Sequence, residues 1–380
     1  MNKRILIAAG GSGGHLYPAQ ALAGQLRAKE PSLEVLFAGG GLATSRYFER
    51  GSFAFEEIAC GALSLKNPLR ALKALSRMGL GAWQSFRLIR RFKPDVVVGF
   101  GSYHSFPVLA AAKLAQIPIV LHEANSMPGK VNRLISRYAK MTAIYFPDAA
   151  KWLKSPCVAV EMPLREGYES ALKNPVSKAE ARRYFQLPAH SSKEPGLTVL
   201  VFGGSQGAKA LNALFSQAAV QHLLPAMANL QVIHFTGDRQ RTAEIQQLYA
   251  QAGIAACVKD FEKRMDLAWQ AADLVVSRAG ASTIAEQIAF EVPGIMIPFP
   301  FASDNHQEHN AQFMQSQVRG GVFFKERETT PKNLAEAIIG LAKDQHTGLQ
   351  AMRQGMRSYK QNRALEDFCE VVLTQVATEK

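Results

Sequence analysis

A short apolar run that leads into a glycine-rich loop limits the possible folds of this chain more than any other feature. Ile5 to Ala9 is followed by Gly10-Gly-Ser-Gly-Gly-His15. The apolar run predicts a buried strand, and the glycines let the backbone turn sharply and approach a ligand. The apolar spacing of Leu16 to Leu26, with Pro18 in the first turn, predicts a helix. A strand, a glycine loop and a helix N-terminus together predict an anion site.

The same pattern returns in the second half of the chain. Leu197-Thr-Val-Leu-Val-Phe202 runs into Gly203-Gly-Ser-Gln-Gly-Ala208, and Asp95 to Ser102 is echoed by Asp273 to Gly280. Short Val- and Ile-rich runs separated by helical stretches predict parallel sheets covered on both faces. We therefore expect two similar α/β domains in tandem, with a substrate cleft between their glycine loops at the carboxyl ends of the strands.

Length supports two domains, because 380 residues exceed one ordinary core. We expect the first domain over residues 1–162, the second over 163–345, and a helical segment over 346–380 that packs back on the first domain. The four cysteines are far apart, which indicates neither a zinc site nor a disulfide framework and favours a reducing cytoplasm. Since no apolar run approaches about 18 residues and the chain enters a strand directly, we expect neither a membrane span nor export.

The first loop does not fit a dinucleotide site. That fingerprint needs an acidic residue after the next strand, whereas Glu34 to Ala38 runs into Gly39-Gly-Gly41. The loop offers instead an ionisable side chain, His15, at the start of a helix. The residues alone leave open whether His15 caps the helix or performs chemistry.

A basic segment from Pro68 to Lys93 contains seven Lys and Arg residues and no acid. A basic helix with Trp and Phe is typical of contact with an anionic bilayer, and an ordinary packed helix with a solvated face fits equally well. Gly79 and Gly81 are expected to break a single continuous helix. The side chains that would contact the membrane are Leu72, Leu75, Met78, Leu80, Trp83 and Phe86.

Polar residues follow two predicted strands of the second half. Ser277 to Glu286 places small residues at a helix start, where N–H groups meet phosphate, and puts Glu286 within reach of hydroxyls. Pro298 to Asn310 is a polar cluster in which Asp304, His306 and His309 match no familiar metal spacing. A sugar-binding loop explains Asp304, Gln307 and Asn310 better.

These motifs, together with Leu121-His-Glu-Ala-Asn125, resemble the bacterial peptidoglycan glycosyltransferases that attach N-acetylglucosamine to lipid I. The resemblance covers nearly the whole chain. It implies the α/β GT-B fold, in which two Rossmann-like parallel-sheet domains face each other across a cleft. It also implies inverting transfer from UDP-GlcNAc to the C4 hydroxyl of the N-acetylmuramyl unit of lipid I. The products would be lipid II and UDP, in peptidoglycan synthesis.

The resemblance implies roles for individual residues. Those on the acceptor and diphosphate loop are Ser12, Gly13, Gly14, Tyr103 and His122. Those that would bind UDP-GlcNAc are Ser12, Gly13, Gly14, Asn125, Arg165, Ser205, Gln206, Gly207, Glu286 and Gln307.

The chemistry requires a base for the acceptor hydroxyl and charge stabilisation for the departing diphosphate. No Asp-x-Asp occurs, so we expect no cofactor and no metal, with helix N-termini and Arg165 neutralising the leaving group. His15 is the candidate base because a helix N-terminus disfavours imidazolium. Glu123 and His122 are alternatives.

The net charge of +13 favours an anionic partner. The resemblance implies a peripheral protein on the cytoplasmic face of the bacterial inner membrane, with UDP-GlcNAc, lipid I, an anionic membrane surface, and cell-wall and division proteins as partners. No nucleic-acid partner is expected, because the basic residues are not interleaved with stacking aromatics. The alternatives are another GT-B UDP-sugar enzyme, such as a glycolipid glycosyltransferase or a UDP-GlcNAc epimerase, and a non-catalytic polyanion binder.

Overall fold

The computed structural model describes residues 3–61, 68–164, 167–190, 196–204 and 207–377. The chain divides into two compact units. Unit 1 consists of Met1–Glu166 and Ala364–Lys380, and unit 2 of Gly167–Arg363. Each unit has its own parallel sheet, so the predicted pair of α/β sheets is confirmed.

The helices and strands alternate along both units. The elements up to residue 173 are β1 (Arg4–Ala8), α1 (Gly13–Lys29), β2 (Glu34–Gly39), β3 (Phe55–Glu57), α2 (Pro68–Phe92), β4 (Val96–Gly99), α3 (Phe106–Leu114), β5 (Ile119–Glu123), α4 (Lys130–Ile135), β6 (Met141–Ile144), β7 (Cys157–Ala159) and α5 (Tyr168–Lys173). Those that follow are α6 (Lys178–Tyr184), β8 (Leu197–Phe202), α7 (Lys209–Ala218), α8 (Leu224–Ala226), β9 (Leu230–Phe235), α9 (Arg239–Ala252), β10 (Ala255–Lys259), α10 (Met265–Ala271), β11 (Leu274–Ser277), α11 (Ala281–Phe290), β12 (Gly294–Met296), α12 (His306–Phe313), β13 (Gly321–Phe323), α13 (Pro331–Gln361) and α14 (Phe368–Ala377).

The sheet of unit 1 has the strand order β3-β2-β1-β4-β5-β6-β7, with every pair parallel. Alternate residues of its central strands face opposite sides. Ile5, Ile7 and Val98 pack in one cluster with side chains of α1 and α14. Leu6 and Val97 pack in another with α2 and α3. Both faces are covered, which is why these strands are apolar throughout.

The sheet of unit 2 repeats this arrangement with the order β10-β9-β8-β11-β12-β13. Its first strand, β8, lies between β9 and β11, as β1 lies between β2 and β4. Leu197, Val199 and Val201 of β8 pack in one cluster with helices α7, α9 and α13. The repeated motif in the sequence therefore corresponds to a repeated position in the two sheets.

Helix α2 runs without a break from Pro68 to Phe92, so the expected break at Gly79 and Gly81 is wrong. A Cβ at Gly81 would overlap the carbonyl oxygen of Ala59, while one at Gly79 would meet nothing within 4 Å. Gly81 is thus a point of close backbone packing. Gly79 lies on the exposed side of the helix.

The C-terminal segment expected at 346–380 is divided between the units. Helix α13 is interrupted at Lys343–His346, and its second part stays with unit 2, where Leu349 and Met356 are fully buried. Helix α14 belongs to unit 1, where Phe368 and Val372 join the core beside β4. The expected start at residue 346 is therefore too early, because apolar side chains hold residues 346–363 to unit 2. Likewise, the first division falls after Glu166 instead of after residue 162.

Candidate functional site

The candidate site in unit 1 lies where the neighbouring strands β1 and β4 end. The chain continues from β1 towards β2 on one side and from β4 towards β5 on the other, and such a switch point leaves a crevice between the two following loops. The loops approach closely at Gly10, where a Cβ would lie 2.7 Å from the Cβ of His104. A larger residue at Gly10 would push the two loops apart.

His15 lies in the first turn of α1, at the edge of this crevice. Helix α1 begins at Gly13, and the carbonyl of Ser12 accepts hydrogen bonds from the amides of His15 and Leu16, both at 3.1 Å. The Nδ1 atom of His15 lies 2.8 Å from the carbonyl oxygen of Phe100. A carbonyl oxygen only accepts, so Nδ1 carries the proton and the lone pair of the neutral ring is on Nε2. The contact fixes the tautomer in which Nε2 can accept a proton.

His122 lies beneath the crevice and not at its surface. The residue is 2% exposed, and its ring contacts both Phe100 and Phe368, with centroid distances of 5.1 and 5.2 Å. Burial, together with the nearby His15, lowers the pKa of His122 to about 3. Among the described residues, Nε2 of His122 has no hydrogen-bond partner. The ring therefore stays neutral and packs as an aromatic side chain.

Glu123 organises the loop after β5. Its carboxylate accepts hydrogen bonds from the amides of Asn125 and Gly129, at 2.9 and 3.0 Å, and from the side chain of Asn132 at 2.9 Å. Burial raises the pKa of Glu123, and the same donors counter that effect. A carboxylate held by so many donors is poorly suited to take a substrate proton. Glu123 therefore positions Asn125, whose side-chain amide also donates a hydrogen bond to the Glu123 carboxylate at 3.3 Å.

The other residues expected on the acceptor side lie on the two loops. Ser12 is half-buried, Gly13 is buried and Gly14 is exposed at the start of α1, where helix amides are available to an anion. Tyr103 is 42% exposed, and its ring contacts the His104 ring in a tilted arrangement with a centroid distance of 4.0 Å.

Glu286 lies on α11, which follows β11 in unit 2. Its Oε2 atom accepts hydrogen bonds from Nε1 of Trp269 at 2.9 Å and from the hydroxyl of Tyr168 at 3.3 Å. The residue is 4% exposed. Two aromatic donors therefore fix the direction of this carboxylate.

Gln307 lies in the first turn of α12, and Gly207 lies in the loop between β8 and α7. The Oε1 atom of Gln307 accepts a hydrogen bond from the amide of Phe299 at 2.8 Å, so its NH2 group is oriented as a donor. Gly207 has a φ of 70°, and a Cβ there would lie 2.6 Å from the carbonyl oxygen of Thr236. The predicted residues Arg165, Ser205 and Gln206 lie outside the described residues.

Sequence reasoning missed the structural role of Arg278. The residue is 6% exposed, and its guanidinium donates to the carbonyls of Ile297 and Pro298 at 3.0 and 3.2 Å and pairs with Glu326. These contacts join the loop after β11 to the loop after β12. The partner is distant in sequence, so no local pattern could have indicated it.

The polar cluster from Pro298 to Asn310, after β12, does not bring metal-binding side chains together among the residues that the structure describes. Asp304 and Asn305 both adopt left-handed backbone conformations, and Nδ1 of His306 lies 2.9 Å from the carbonyl oxygen of Ser303. Across the part of the chain that the structure describes, no three His, Cys, Asp or Glu side chains form a group that could hold a metal ion.

Helix α2 presents an apolar face to solvent. Leu72, Leu75, Leu80 and Trp83 are 66%, 54%, 49% and 56% exposed, while Met78 is half-buried. Phe86 is a different case, because its ring packs against the core of unit 1. Within the described ranges, no helix is both long and apolar enough to cross a bilayer.

The chain is similar to known proteins over nearly its whole length. A protein of Protochlamydia amoebophila (strain UWE25) is 46% identical over 375 residues, covering 98% of this chain and 96% of that protein. One of Desulfotalea psychrophila (strain LSv54 / DSM 12343) is 38% identical, covering 90% and 88%. Both are called UDP-N-acetylglucosamine–N-acetylmuramyl-(pentapeptide) pyrophosphoryl-undecaprenol N-acetylglucosamine transferase.

A solved structure agrees with these relatives. The crystal structure of MurG from Acinetobacter baumannii matches with a TM-score of 0.73 and 26% identity, covering 99% of this chain and 100% of that one. Residues 5–144 match the N-terminal domain of glycosyltransferase family 28, and residues 198–367 match its C-terminal domain. The chain therefore belongs to glycosyltransferase family 28.

Proposed function

We propose that this chain transfers N-acetylglucosamine from UDP-GlcNAc to the C4 hydroxyl of the N-acetylmuramyl unit of lipid I, giving lipid II and UDP. The names of the relatives at 46% and 38% identity support this reaction. The observation in the chain itself that carries the proposal is His15, which holds its proton on Nδ1 against the Phe100 carbonyl. This leaves Nε2 as the basic atom at the start of a helix.

In the proposed mechanism, Nε2 of His15 accepts the proton of the acceptor hydroxyl as its oxygen attacks C1 of the donor sugar. The bond from C1 to the UDP oxygen breaks with inversion, and the electron pair leaves with the diphosphate. The amides of Ser12, Gly13 and Gly14 would bind the diphosphate of the acceptor. Tyr103 borders this side of the site.

We assign the donor to unit 2. Glu286 would accept hydrogen bonds from ribose hydroxyls, and the oriented NH2 group of Gln307 would donate to the sugar. Two further loop residues, Asn125 and Gly207, would contact UDP-GlcNAc in this proposal. Arg165, Ser205 and Gln206 are assigned to the diphosphate from the motif alone.

The proposal includes a location. The exposed apolar face of α2 and the net charge of +13 support peripheral attachment to an anionic membrane, which we assign to the cytoplasmic face of the bacterial inner membrane. The proposal extends to a role in cell shape and division and to contacts with cell-wall and division proteins.

The test is a transfer assay with UDP-GlcNAc and a lipid I analogue, with and without a chelator. We expect UDP release that requires the analogue, and a product heavier by one N-acetylglucosamine residue in the mass spectrum. Release of UDP without an acceptor, or faster transfer from UDP-galactose, would overturn the proposal and favour another UDP-sugar enzyme.

A further inference from the structure

A thiol and an imidazole that the proposed reaction does not use are paired beside the first glycine loop. The Sγ atom of Cys60 lies 3.2 Å from Nδ1 of His104. Cys60 follows β3, and His104 lies in the loop after β4, so strands on both sides of β1 contribute to the pair. Cys60 is half-buried.

His104 packs closely against two glycine loops, one at Gly11 and one at Gly40. A Cβ at Gly11 would lie 2.9 Å from its Cδ2 atom, and one at Gly40 would lie 2.9 Å from its Nδ1 atom and would also overlap Cys60 Sγ. The amide of Gly40 donates to the carbonyl of His104 at 3.2 Å. Cys60 Sγ thus packs against Gly40 and His104, so a group added to it would press on this loop or on the imidazole. The ring of Tyr103 contacts the same imidazole in a tilted arrangement.

The surroundings of the pair favour the uncharged form of both side chains. Burial raises the pKa of the Cys60 thiol, Arg77 opposes this effect, and Glu57 adds to it. Burial also lowers the pKa of His104, while a hydrogen bond with the Gly40 backbone and the Glu57 carboxylate oppose this effect. The Glu57 carboxylate is held by the amides of Gly41 and Ala43, at 2.5 and 2.9 Å. The resting pair is thus a thiol and a neutral imidazole, which become thiolate and imidazolium by transfer of one proton between them.

We propose that Cys60 is a modification site that forms mixed disulfides with low-molecular-weight disulfides, with His104 as the proton acceptor, and that the adduct blocks the acceptor side of the crevice. The proton of the thiol passes to Nδ1 of His104, and the thiolate attacks one sulfur of the disulfide. The S–S bond breaks, the leaving thiolate takes the proton, and one mixed disulfide and one free thiol result. A dithiol reductant reverses the step.

The chemical half of the proposal is tested with oxidised glutathione on the full chain, with the adduct at each cysteine quantified by mass spectrometry. Cys157 and Cys257 are also half-buried and serve as internal controls. We expect Cys60 to react about tenfold faster than either, at a rate that is nearly constant from about pH 6 to pH 8, because the thiol proton passes to His104 and is not released to the buffer. In His104→Leu, Cys60 should react more slowly than in the wild type. Its rate should also increase about tenfold per pH unit, as for an isolated thiol.

A wild-type rate at Cys60 that rises tenfold per pH unit, or that equals the rate at Cys157, would overturn this half. The wild-type pH profile decides the matter even if His104→Leu does not fold, and His104→Gln provides a second variant. None of these measurements depends on transferase activity.

The blocking half rests on the proposed function. We expect the glutathione adduct to raise KM for the lipid I analogue about tenfold or more, and a dithiol to restore it. Cys60→Ser keeps a hydrogen-bonding group beside His104 and should be insensitive to the same treatment. An adduct at Cys60 without a change in KM would overturn the blocking half. Failure of the untreated protein to transfer at all would count against the proposed function and leave the thiol chemistry standing.

Discussion

One backbone carbonyl determines how His15 can act. Because the oxygen of Phe100 lies 2.8 Å from Nδ1, the neutral ring has its basic nitrogen at Nε2. The sequence shows the histidine but not this contact, since any residue at position 100 has a carbonyl. Glu123 is the opposite case: its acidic side chain makes it a candidate base, whereas the structure engages that side chain with backbone and Asn132 donors.

We expect His15→Asn to lower kcat about 10²- to 10⁴-fold, because asparagine can still donate to the Phe100 carbonyl but cannot accept a proton as a base. The affinity for UDP-GlcNAc, measured by calorimetry, should change less than about twofold, since the substitution removes the base and not a group that binds the sugar nucleotide. His222→Asn in unit 2 is the matched control. Near-normal turnover in His15→Asn would move the base elsewhere.

The buried ring of His122 predicts a pH effect on stability. Its pKa is lowered to about 3 in the folded state, whereas an unfolded histidine titrates near about 6.5. Between these values the unfolded state binds more protons, so the free energy of unfolding falls as the pH is lowered through this window. The slope is at most about 1.4 kcal/mol per pH unit for this one residue.

His122→Phe should reduce that slope, because phenylalanine keeps an aromatic ring beside Phe100 and Phe368 and does not titrate. The measurement is urea unfolding of both proteins at several pH values between 7 and 5. His234 is also fully buried with a pKa of about 3, so part of the slope should remain in the variant. Parallel slopes for wild type and His122→Phe would show that His122 is not buried as a neutral ring.

At the level of elements, the central strands could be predicted and the edge strands could not. Val96 to Gly99 is apolar because helices cover both faces of the sheet, and such a run is visible in the sequence. The edge strands β3 and β7 have three residues each, and none of them is fully buried, so they carry no comparable pattern. The place of α14 depends on contacts with residues far away in the chain, which no local periodicity indicates.

The two glycines of α2 should respond in opposite directions to the same substitution. Gly79→Ala should stabilise the protein by about 0.5 to 1 kcal/mol, because the position is open and alanine favours a helix. Gly81→Ala should destabilise it by about 1 to 3 kcal/mol, because the new methyl group meets the Ala59 carbonyl.

Urea unfolding gives both free energies, and hydrogen exchange of α2 peptides shows whether the change is local. Each glycine variant is the control for the other, since helix propensity alone predicts the same sign for both. Equal stabilisation by the two substitutions would mean that α2 does not pack closely on the segment around Ala59.

At the scale of the whole molecule, positive charge and the apolar face of α2 make a joint prediction. The chain carries a net charge of +13, and the exposed side of α2 combines Leu75 and Trp83 with Arg87, whose guanidinium lies 4.9 Å from the Trp83 ring. Binding to anionic vesicles should therefore weaken both when salt is added and when apolar side chains are removed.

The double variant Leu75→Ser with Trp83→Ser should reduce partitioning onto anionic vesicles by at least about tenfold in a flotation assay, because each side chain contributes about 1 to 3 kcal/mol when buried in lipid. The matched control replaces two exposed apolar residues of unit 2, Leu172 and Phe261, by serine. Equal loss in both double variants would argue against α2 as the contact face.

The discontinuity of unit 1 has a consequence for synthesis on the ribosome. Helix α14 supplies Phe368, which stacks on His122, and Asp367 just before it pairs with Lys29 at 2.6 Å. The ribosome makes these residues only after the whole of Gly167–Arg363. Part of one face of the sheet in the nascent first unit therefore stays uncovered while the second unit emerges and can already fold. A message truncated within the second unit would yield a chain that contains His15 but lacks the helix that completes its surroundings.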